Sequence, residues 1–378
     1  MTDTLPASTP ASTPASNRAV EASYREARRR SDRLEELIAG PDCTERRRLR
    51  VLTGDRPTGR LHVGHHLASL GNRVALQDAG IETFVLVADY QVVTDRDVVG
   101  AIGDNVHGML LDYLAAGIDP ARSTIFAHSA VPALNQLVLP FLALVTLAEL
   151  ERNPTVKDEL AATAGRPLSG LLLTYPVHQA ADILFCDATV VPVGRDQLPH
   201  VEQARVVARR FNRRFAGGRA MFTEPEALLS AAPLVLGTDG RKMGKSGGNA
   251  IPLCASADET ARLVRGARTD SERRITFEPE RRPEVASLLT IAAAYRGEDP
   301  ASLAETIGDG GAVRLKQVVT EAVNEGLAGH RARRAELAAD PGHVAAVLAE
   351  GNERANAIAQ ARLQQVREVM GMSYATAP

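Results

Sequence analysis

Short apolar segments alternate with helical patterns along the first half of the chain, and this alternation most restricts the possible folds. A short apolar run that ends in glycine or a polar residue is typical of a buried strand. Strands that alternate with helices predict a parallel sheet with crossover helices, the Rossmann-like, doubly wound architecture of the α/β class. The predicted strands are LRVLTG (49–54), TFVLVAD (83–89), STIFAHS (123–129) and ATVVPVG (188–194), and the predicted helices span 63–78, 105–116, 134–160, 168–181 and 199–215.

The domain organisation follows from where the strand patterns stop. Residues 1–45 combine a low-complexity tail rich in Pro, Ser, Thr and Ala with a charged helix, and we expect the tail to be disordered. We place the Rossmann-like domain at 46–253, with a helical insertion at about 134–181. Residues 254–378 contain no convincing strand pattern and end in an amphipathic stripe, which predicts an all-helical C-terminal domain.

Composition narrows the class of protein. The 378 residues carry a formal net charge of −2, so no global basic field indicates bulk nucleic-acid binding, although a local basic face is compatible with that charge. The three cysteines are far apart, which predicts neither a zinc site nor a disulfide framework and favours a reducing, cytoplasmic setting. No apolar run approaches the roughly 20 residues that a membrane span needs, so we expect no membrane association.

The stretch RPTGRLHVGHHL (56–67) places three of the nine histidines between a predicted strand and a predicted helix. His62 and His65 are three positions apart, so both imidazoles lie on one face of the first helical turn. The amino end of a helix attracts phosphate, and Gly64 lets a ligand approach the backbone closely. The pattern predicts contact with a phosphoryl group, but histidines that cap a helix or fill a core are about equally consistent with it.

A second stretch favours the phosphate interpretation. The chain contains only four lysines, and DGRKMGKSGGN (239–249) holds two of them, Lys242 and Lys245, in a glycine-rich segment. Ammonium groups on flexible stems can close over a polyphosphate. The alternative is an ordinary solvated surface loop.

These two motifs resemble the paired signatures of the class I aminoacyl-tRNA synthetases. The segments PTGRLHVGH, LAELERN, TYPVHQAADIL, VPVGRDQLPH and TDSE…RRPEVASLL, in this order, resemble the tryptophanyl-tRNA synthetases of bacterial type. The resemblance covers about 49–370, most of the chain. It implies activation of L-tryptophan with ATP and Mg²⁺, transfer to tRNA(Trp), a cytoplasmic homodimer, and a helical domain that reads the anticodon.

The resemblance also implies roles for individual residues. His62, His65, Lys242 and Lys245 would be catalytic, and no residue is expected to be a protein-bound metal ligand. The expected ATP-binding residues are Arg56, Pro57, Thr58, Gly64, His65, Gly194, Arg195, Asp196, Lys242, Met243, Gly244, Lys245 and Ser246. The expected substrate-binding residues are Leu52, Gln91, Tyr175, Gln179, Asp182 and Gln197; Asp182 would accept the indole N–H and Gln197 would hold the ammonium group.

Some residues depart from the pattern of the family. Gly244 stands where a serine is usual in the lysine loop, and Gly247 and Gly248 replace the more usual acid and proline. The three glycines favour a mobile loop, which puts the turnover rate of the enzyme, rather than its substrate binding, in doubt. Gln179 and Gln91 stand where methionine and histidine are common, beside the expected substrate.

Three alternatives remain at this point. The pattern of Tyr175, Gln179 and Asp182 also resembles the tyrosyl-tRNA synthetases, but Leu52 stands where those enzymes tend to have a tyrosine that meets the substrate phenol. A synthetase-like regulatory protein without aminoacylation fits the glycine-substituted loop. A metabolite nucleotidyltransferase shares the histidine motif but would not need the helical domain.

Overall fold

The structure is a computed structural model that describes residues 14–41, 43–94, 101–162, 168–229, 235–245 and 248–374. The predicted low-complexity tail falls largely on 1–13, which lie outside the described residues, as do Ser246 and Gly247 of the lysine loop.

One parallel sheet organises the first half of the chain. Its strands are β1 (Arg50–Asp55), β2 (Glu82–Val87), β3 (Ser123–Ala127), β4 (Val190–Val193) and β5 (Glu226–Leu229). They pair in the order β3-β2-β1-β4-β5. The β1–β2 register runs from Arg50 opposite Glu82 to Asp55 opposite Val87. Because the winding reverses between β1 and β4, a crevice opens at their carboxyl ends. The Rossmann-like prediction is confirmed.

Helices cover the sheet and form the C-terminal third. The first group is α1 (Pro14–Ala39), α2 (Cys43–Arg46), α3 (Val63–His65), α4 (Gly71–Asp78), α5 (Ile102–Ala116), α6 (Pro132–Gln136), α7 (Val138–Leu142), α8 (Leu147–Arg152), α9 (Pro154–Ala162), α10 (Gly170–Leu184) and α11 (Leu198–Arg214). The second group is α12 (Ala257–Arg265), α13 (Pro283–Arg296), α14 (Pro300–Ile307), α15 (Gly311–Gly326), α16 (Ala328–Ala338) and α17 (Pro341–Val369).

Two expectations about individual elements were wrong. The single helix predicted over 134–160 is four short helices, α6 to α9, because Thr146 and Glu149 form a capping box that begins a new helix and Pro154 begins another. The strand β5 was missed because its four residues, EALL, have no strand-like composition. Its place in the sheet comes from pairing with β4 and from packing against α1.

The last helix returns to the sheet. Along α17, Ala355, Ala359 and Leu363 are buried in the same hydrophobic cluster as Phe126 of β3. At Gly351 the helix comes so close to β3 that a Cβ atom would overlap the Ile125 carbonyl group. The C-terminal helical region is therefore packed directly on the sheet that positions the site.

Candidate active site

The two predicted histidines lie side by side where β1 leads into α3. His62 is extended, and its backbone N–H donates to Nδ1 of His65 at 3.3 Å. Their ring centroids are 3.8 Å apart. Burial lowers the pKa of His62 to about 4 and that of His65 to about 3. Both imidazoles are therefore neutral near pH 7, and since His65 accepts at Nδ1, its Nε2 carries the proton and can donate to an anionic ligand.

A buried ionic network lies at the end of β1, next to the turn that carries His62 and His65. Arg73 of α4 donates to Asp55 Oδ2 at 2.8 Å, and the Tyr113 hydroxyl donates to the same oxygen at 2.7 Å. Burial alone would raise the pKa of Asp55, but the charges of Arg73 and Lys245 hold it well below its usual value. Asp55 is therefore a permanent anion at the carboxyl end of β1.

Lys245 closes the lysine loop onto this anion. Its ammonium donates to the Arg56 carbonyl oxygen at 2.9 Å and lies 3.9 Å from Asp55 Oδ1. Burial lowers the pKa of Lys245, while Asp55 opposes that shift. The backbone of Lys245 also crowds Gly59, where a Cβ would come within 3.1 Å of its carbonyl oxygen. The loop thus rests against the segment that follows β1.

Lys242 takes the opposite side of the crevice. Its side chain is 67% exposed, and its ammonium lies 3.6 Å from Asp196 Oδ2, just beyond β4. Asn249 stabilises the loop between the two lysines, because its amide donates to the Lys242 carbonyl oxygen at 3.1 Å and its Oδ1 accepts from Gly244 N–H at 3.1 Å. Met243 is buried in the core and anchors the loop.

The turn after β4 forms the other wall. Gly194 leaves room for the Asp196 carboxylate in this position, because a Cβ at 194 would lie 2.7 Å from Asp196 Oδ1 and the carboxylate would have to turn away. Gln197 donates to Asp196 Oδ2 at 3.4 Å, a weak contact. The side chain of Arg195 turns towards α1, where it meets Glu21 and Tyr24.

A buried acid and two histidines form a second polar cluster on α10 and the end of β3. His128 Nε2 donates to Asp182 Oδ1 at 2.7 Å, whereas Oδ2 is buried and has no partner. The ring of His178 stacks on His128 with centroids 4.4 Å apart, and its Nε2 donates to Asn135 Oδ1 at 2.8 Å. Tyr90 lies against both rings. Asp182 therefore keeps one free acceptor for a buried donor.

These three side chains also have the donor set of a metal site. The ligand atoms of His128, His178 and Asp182 lie within 4.8 Å of one another. Both imidazole Nε2 atoms, however, already have protein partners, Asp182 and Asn135. The cluster is better explained by hydrogen bonding than by coordination.

Four further predicted substrate residues lie on α10, on β1 and in the 3₁₀ turn that follows β2. Tyr175 lies two turns before Asp182 on the same stripe of α10, about 10 Å away along the helix, and packs on Val156 and Leu172. Burial raises the pKa of Tyr175 to about 12. Leu52 is buried in β1, and Gln179 and Gln91 are half-buried.

Comparison with known proteins decides the family. Residues 44–328 match the family described as tRNA synthetases class I (W and Y), the tryptophan and tyrosine enzymes. The chain belongs to this family. A tryptophan–tRNA ligase of Clostridium longisporum is 41% identical over 335 residues, which cover 86% of this chain and 97% of that protein. The tryptophan–tRNA ligase of Treponema pallidum is 41% identical over 342 residues, with the same coverage.

Solved structures agree with this assignment. The tryptophanyl-tRNA synthetase of Campylobacter jejuni, complexed with ADP and tryptophan, has a TM-score of 0.74 and 31% identity over 85% of this chain and all of that chain. The Mycoplasma pneumoniae enzyme has a TM-score of 0.73 and 26% identity, over 86% of this chain and 98% of that one. No helix in the described part of the chain combines the length and apolar character that would let it cross a bilayer.

Some side chains that the structure places at the candidate site are not revealed by the motifs. Sequence reasoning missed Asp55, Arg73 and His128, which lie outside the two signature motifs, and Asn249, which ends the second motif. His178 lies within TYPVHQ, between two predicted substrate residues, so its position was a usable signal. The structure brings the turn with His62 and His65, the lysine loop and the turn after β4 around one crevice. Ser246 lies outside the described residues.

Proposed function

We propose that this chain activates L-tryptophan with ATP to give tryptophanyl adenylate and pyrophosphate, and then transfers tryptophan to tRNA(Trp). The observation that carries the proposal is the crevice between β1 and β4, which has Lys245 on one side and Lys242 on the other. A polyphosphate placed in it would meet cations at both ends and the neutral imidazoles of His62 and His65 along its length.

Activation needs positioning and electrostatics rather than a general base. The tryptophan carboxylate is already ionised, so its oxygen attacks the α-phosphorus of ATP and the bond to the bridging oxygen breaks. Pyrophosphate leaves with added negative charge, which Lys242 and Lys245 would stabilise. Transfer then requires a ribose hydroxyl of the tRNA to attack the acyl carbonyl, and AMP leaves.

We propose that Mg²⁺ binds to this site together with ATP. Of the described carboxylates along the ATP crevice, Asp55 is already paired with Arg73 and Lys245, and Asp196 lies near Lys242. A magnesium ion that keeps its waters and is held by substrate phosphates suits such a site. The substrate is therefore MgATP.

Tryptophan is favoured over tyrosine as the substrate because the relatives reported above are tryptophan–tRNA ligases and because Leu52 lies on β1. Leu52 has no hydroxyl for a phenol, and a site that cannot pair a buried polar group rejects the ligand that carries it. Asp182 Oδ2, buried and without a partner, would accept the indole N–H. The roles of Tyr175, Gln179, Gln91 and Gln197 in this pocket stay predictions.

We also propose that the chain works as a cytoplasmic homodimer and reads tRNA with the helical region at 254–378. Exposed leucines on the helices at 132–162, Leu139 and Leu147, support an interface there. The arginine-rich helix α11 is a weaker candidate for binding tRNA. Its residues Arg205, Arg209 and Arg210 already form ion pairs with Glu226, Glu224 and Glu149.

The deciding experiment is pyrophosphate exchange into ATP, with tryptophan and tyrosine tested separately, followed by charging of tRNA(Trp). We expect exchange with tryptophan alone. Exchange with tyrosine would contradict the interpretation of Leu52, and tryptophan binding without any exchange would support a regulatory protein. Lys245→Ala should abolish most of the exchange, whereas Lys316→Ala, which removes an exposed lysine bonded to the Arg265 carbonyl oxygen, should not.

A further inference from the structure

The helix α1 precedes the segment that matches the family, which begins at residue 44. It is fixed on the outer strand of the sheet. The buried hydroxyl of Ser31 accepts a hydrogen bond from Leu229 N–H of β5 at 2.8 Å, and Arg30 pairs with Glu226 of β5 and Glu202 of α11 at 2.7 and 2.8 Å. A buried polar contact and two ion pairs thus determine where the amino-terminal turns of α1 lie.

Those turns reach the proposed ATP site. Glu21 Oε2 lies 2.8 Å from Arg195 Nη2, and the Arg195 guanidinium carbon lies 4.1 Å from the centre of the Tyr24 ring. The two contacts differ in kind, since one is an ion pair and the other is a cation–π contact of the guanidinium with the Tyr24 ring. Both partners that the structure describes for this guanidinium come from α1.

Arg195 is well placed to pass this constraint to the nucleotide. It opens the single 3₁₀ turn Arg195–Gln197 after β4, between Gly194 and Asp196. The carboxylate of Asp196 is in turn the partner of Lys242. With its side chain 58% exposed, Arg195 would be free to take many rotamers without α1.

We propose that Glu21 and Tyr24 are positioning residues for ATP: α1 holds the Arg195 guanidinium, and thereby the turn Gly194–Gln197, in the conformation that receives the adenosine. This inference rests on the proposed function only in assigning the crevice to ATP. One guanidinium nitrogen is used by Glu21, so other N–H groups of Arg195 remain available to the nucleotide. Loss of the α1 contacts should weaken ATP binding more than tryptophan binding, which the same turn reaches only through Gln197.

The test measures the Kd for ATP by calorimetry, and the KM values for ATP and tryptophan by pyrophosphate exchange, in full-length point variants. Tyr24→Leu should weaken ATP binding about 2- to 5-fold, as expected for one exposed cation–π contact. Tyr24→Phe keeps an aromatic face and should restore wild-type affinity. Glu21→Gln should weaken ATP binding by a smaller factor, while Glu36→Gln, which neutralises an exposed glutamate elsewhere on α1, should have no effect.

A double-mutant cycle separates positioning from a general structural role. Arg195→Ala should raise the Kd for ATP, and adding Tyr24→Leu to it should change nothing further, because the helix acts through Arg195. Additive effects, tighter ATP binding in Tyr24→Leu, or an unchanged Kd in Arg195→Ala would each overturn the inference. Because the Kd is measured without turnover, a protein that binds ATP but fails to exchange pyrophosphate would contradict the proposed function alone.

Discussion

The ammonium of Lys245 lies 3.9 Å from the Asp55 carboxylate and donates to the carbonyl oxygen of the next residue, Arg56. The side chain is buried between the lysine loop and the end of β1, whereas Lys242 of the same motif is exposed. The two lysines of one short motif therefore start from different environments, and we expect them to contribute differently to catalysis.

Lys245→Ala should lower kcat for pyrophosphate exchange by about 10²- to 10³-fold, the usual loss for one preorganised transition-state contact. Lys242→Ala should raise the KM for ATP more than it lowers kcat, because its exposed ammonium can adjust to the bound nucleotide. Steady-state exchange at varied ATP concentration measures both. Equal effects of the two substitutions on kcat and KM would contradict this division.

Asp55→Asn should destabilise the fold strongly. The change leaves the buried Arg73 guanidinium without its counter-ion, and removal of one partner from a buried pair costs about 3–5 kcal/mol. Urea denaturation gives the free energy of unfolding. Asp78→Asn is the matched control, because its pair with Arg122 is exposed and should contribute less than about 1 kcal/mol.

Stability should fall as the pH drops from about 6.5 to about 4. In the unfolded chain, histidines bind protons below their usual pKa of about 6.5. Burial lowers the pKa of His62 and His66 to about 4 and that of His65 to about 3, so the folded protein takes up these protons only at lower pH. Unfolding therefore absorbs protons in this window, and acid favours the unfolded state.

Urea midpoints measured at half-unit pH intervals test this linkage. His65→Gln removes one of the buried histidines and should reduce the slope of stability against pH. His343→Gln, which changes an exposed histidine near the start of α17, should leave the slope as it is. An unchanged slope in His65→Gln would mean that this imidazole is already charged in the folded protein.

His128→Ala should raise the KM for tryptophan about 10-fold or more and leave the KM for ATP unchanged. His128 holds Asp182 Oδ1 at 2.7 Å, and a hydrogen bond to a charged group contributes about 1.5–3 kcal/mol. Without it the carboxylate can turn away from the indole. His107→Ala on the exposed side of α5 is the control, and a change confined to the KM for ATP would refute the role of His128.

Gly244→Ser should increase kcat by about 2- to 5-fold. A Cβ at this position meets nothing within 4 Å, so a serine fits without rearrangement. It would reduce the freedom of the loop backbone, a difference of about 0.5–1 kcal/mol relative to glycine. Single-turnover adenylate formation isolates this step. A lower rate would show that the loop of this chain needs its glycine.

Local patterns predicted four of the five strands, because segments such as LRVLTG carry their own signal over a few residues. In the same way, RPTGRLHVGHHL and DGRKMGKSGGN marked two segments that the structure places at one crevice. They did not predict the pair of Asp55 and Arg73, which are 18 positions apart, or that of His128 and Asp182, which are 54 apart. Such pairs depend on which strand ends meet, and that is a property of the folded sheet. The strand β5 was missed for the same reason, since only β4 and α1 make its residues a strand.

The docking of α17 has a consequence for how the protein is made. Asn352 of this helix accepts the N–H of Ala127, and the next residue is His128, the partner of Asp182. Gly351 lies in direct contact with the same strand. The proposed amino-acid pocket therefore receives this support from a segment that leaves the ribosome after all five strands of the sheet. A nascent chain that stops before this helix leaves β3 with an uncovered edge and His128 without that support, so we expect the amino-acid pocket to be completed only after α17 has been made and docked.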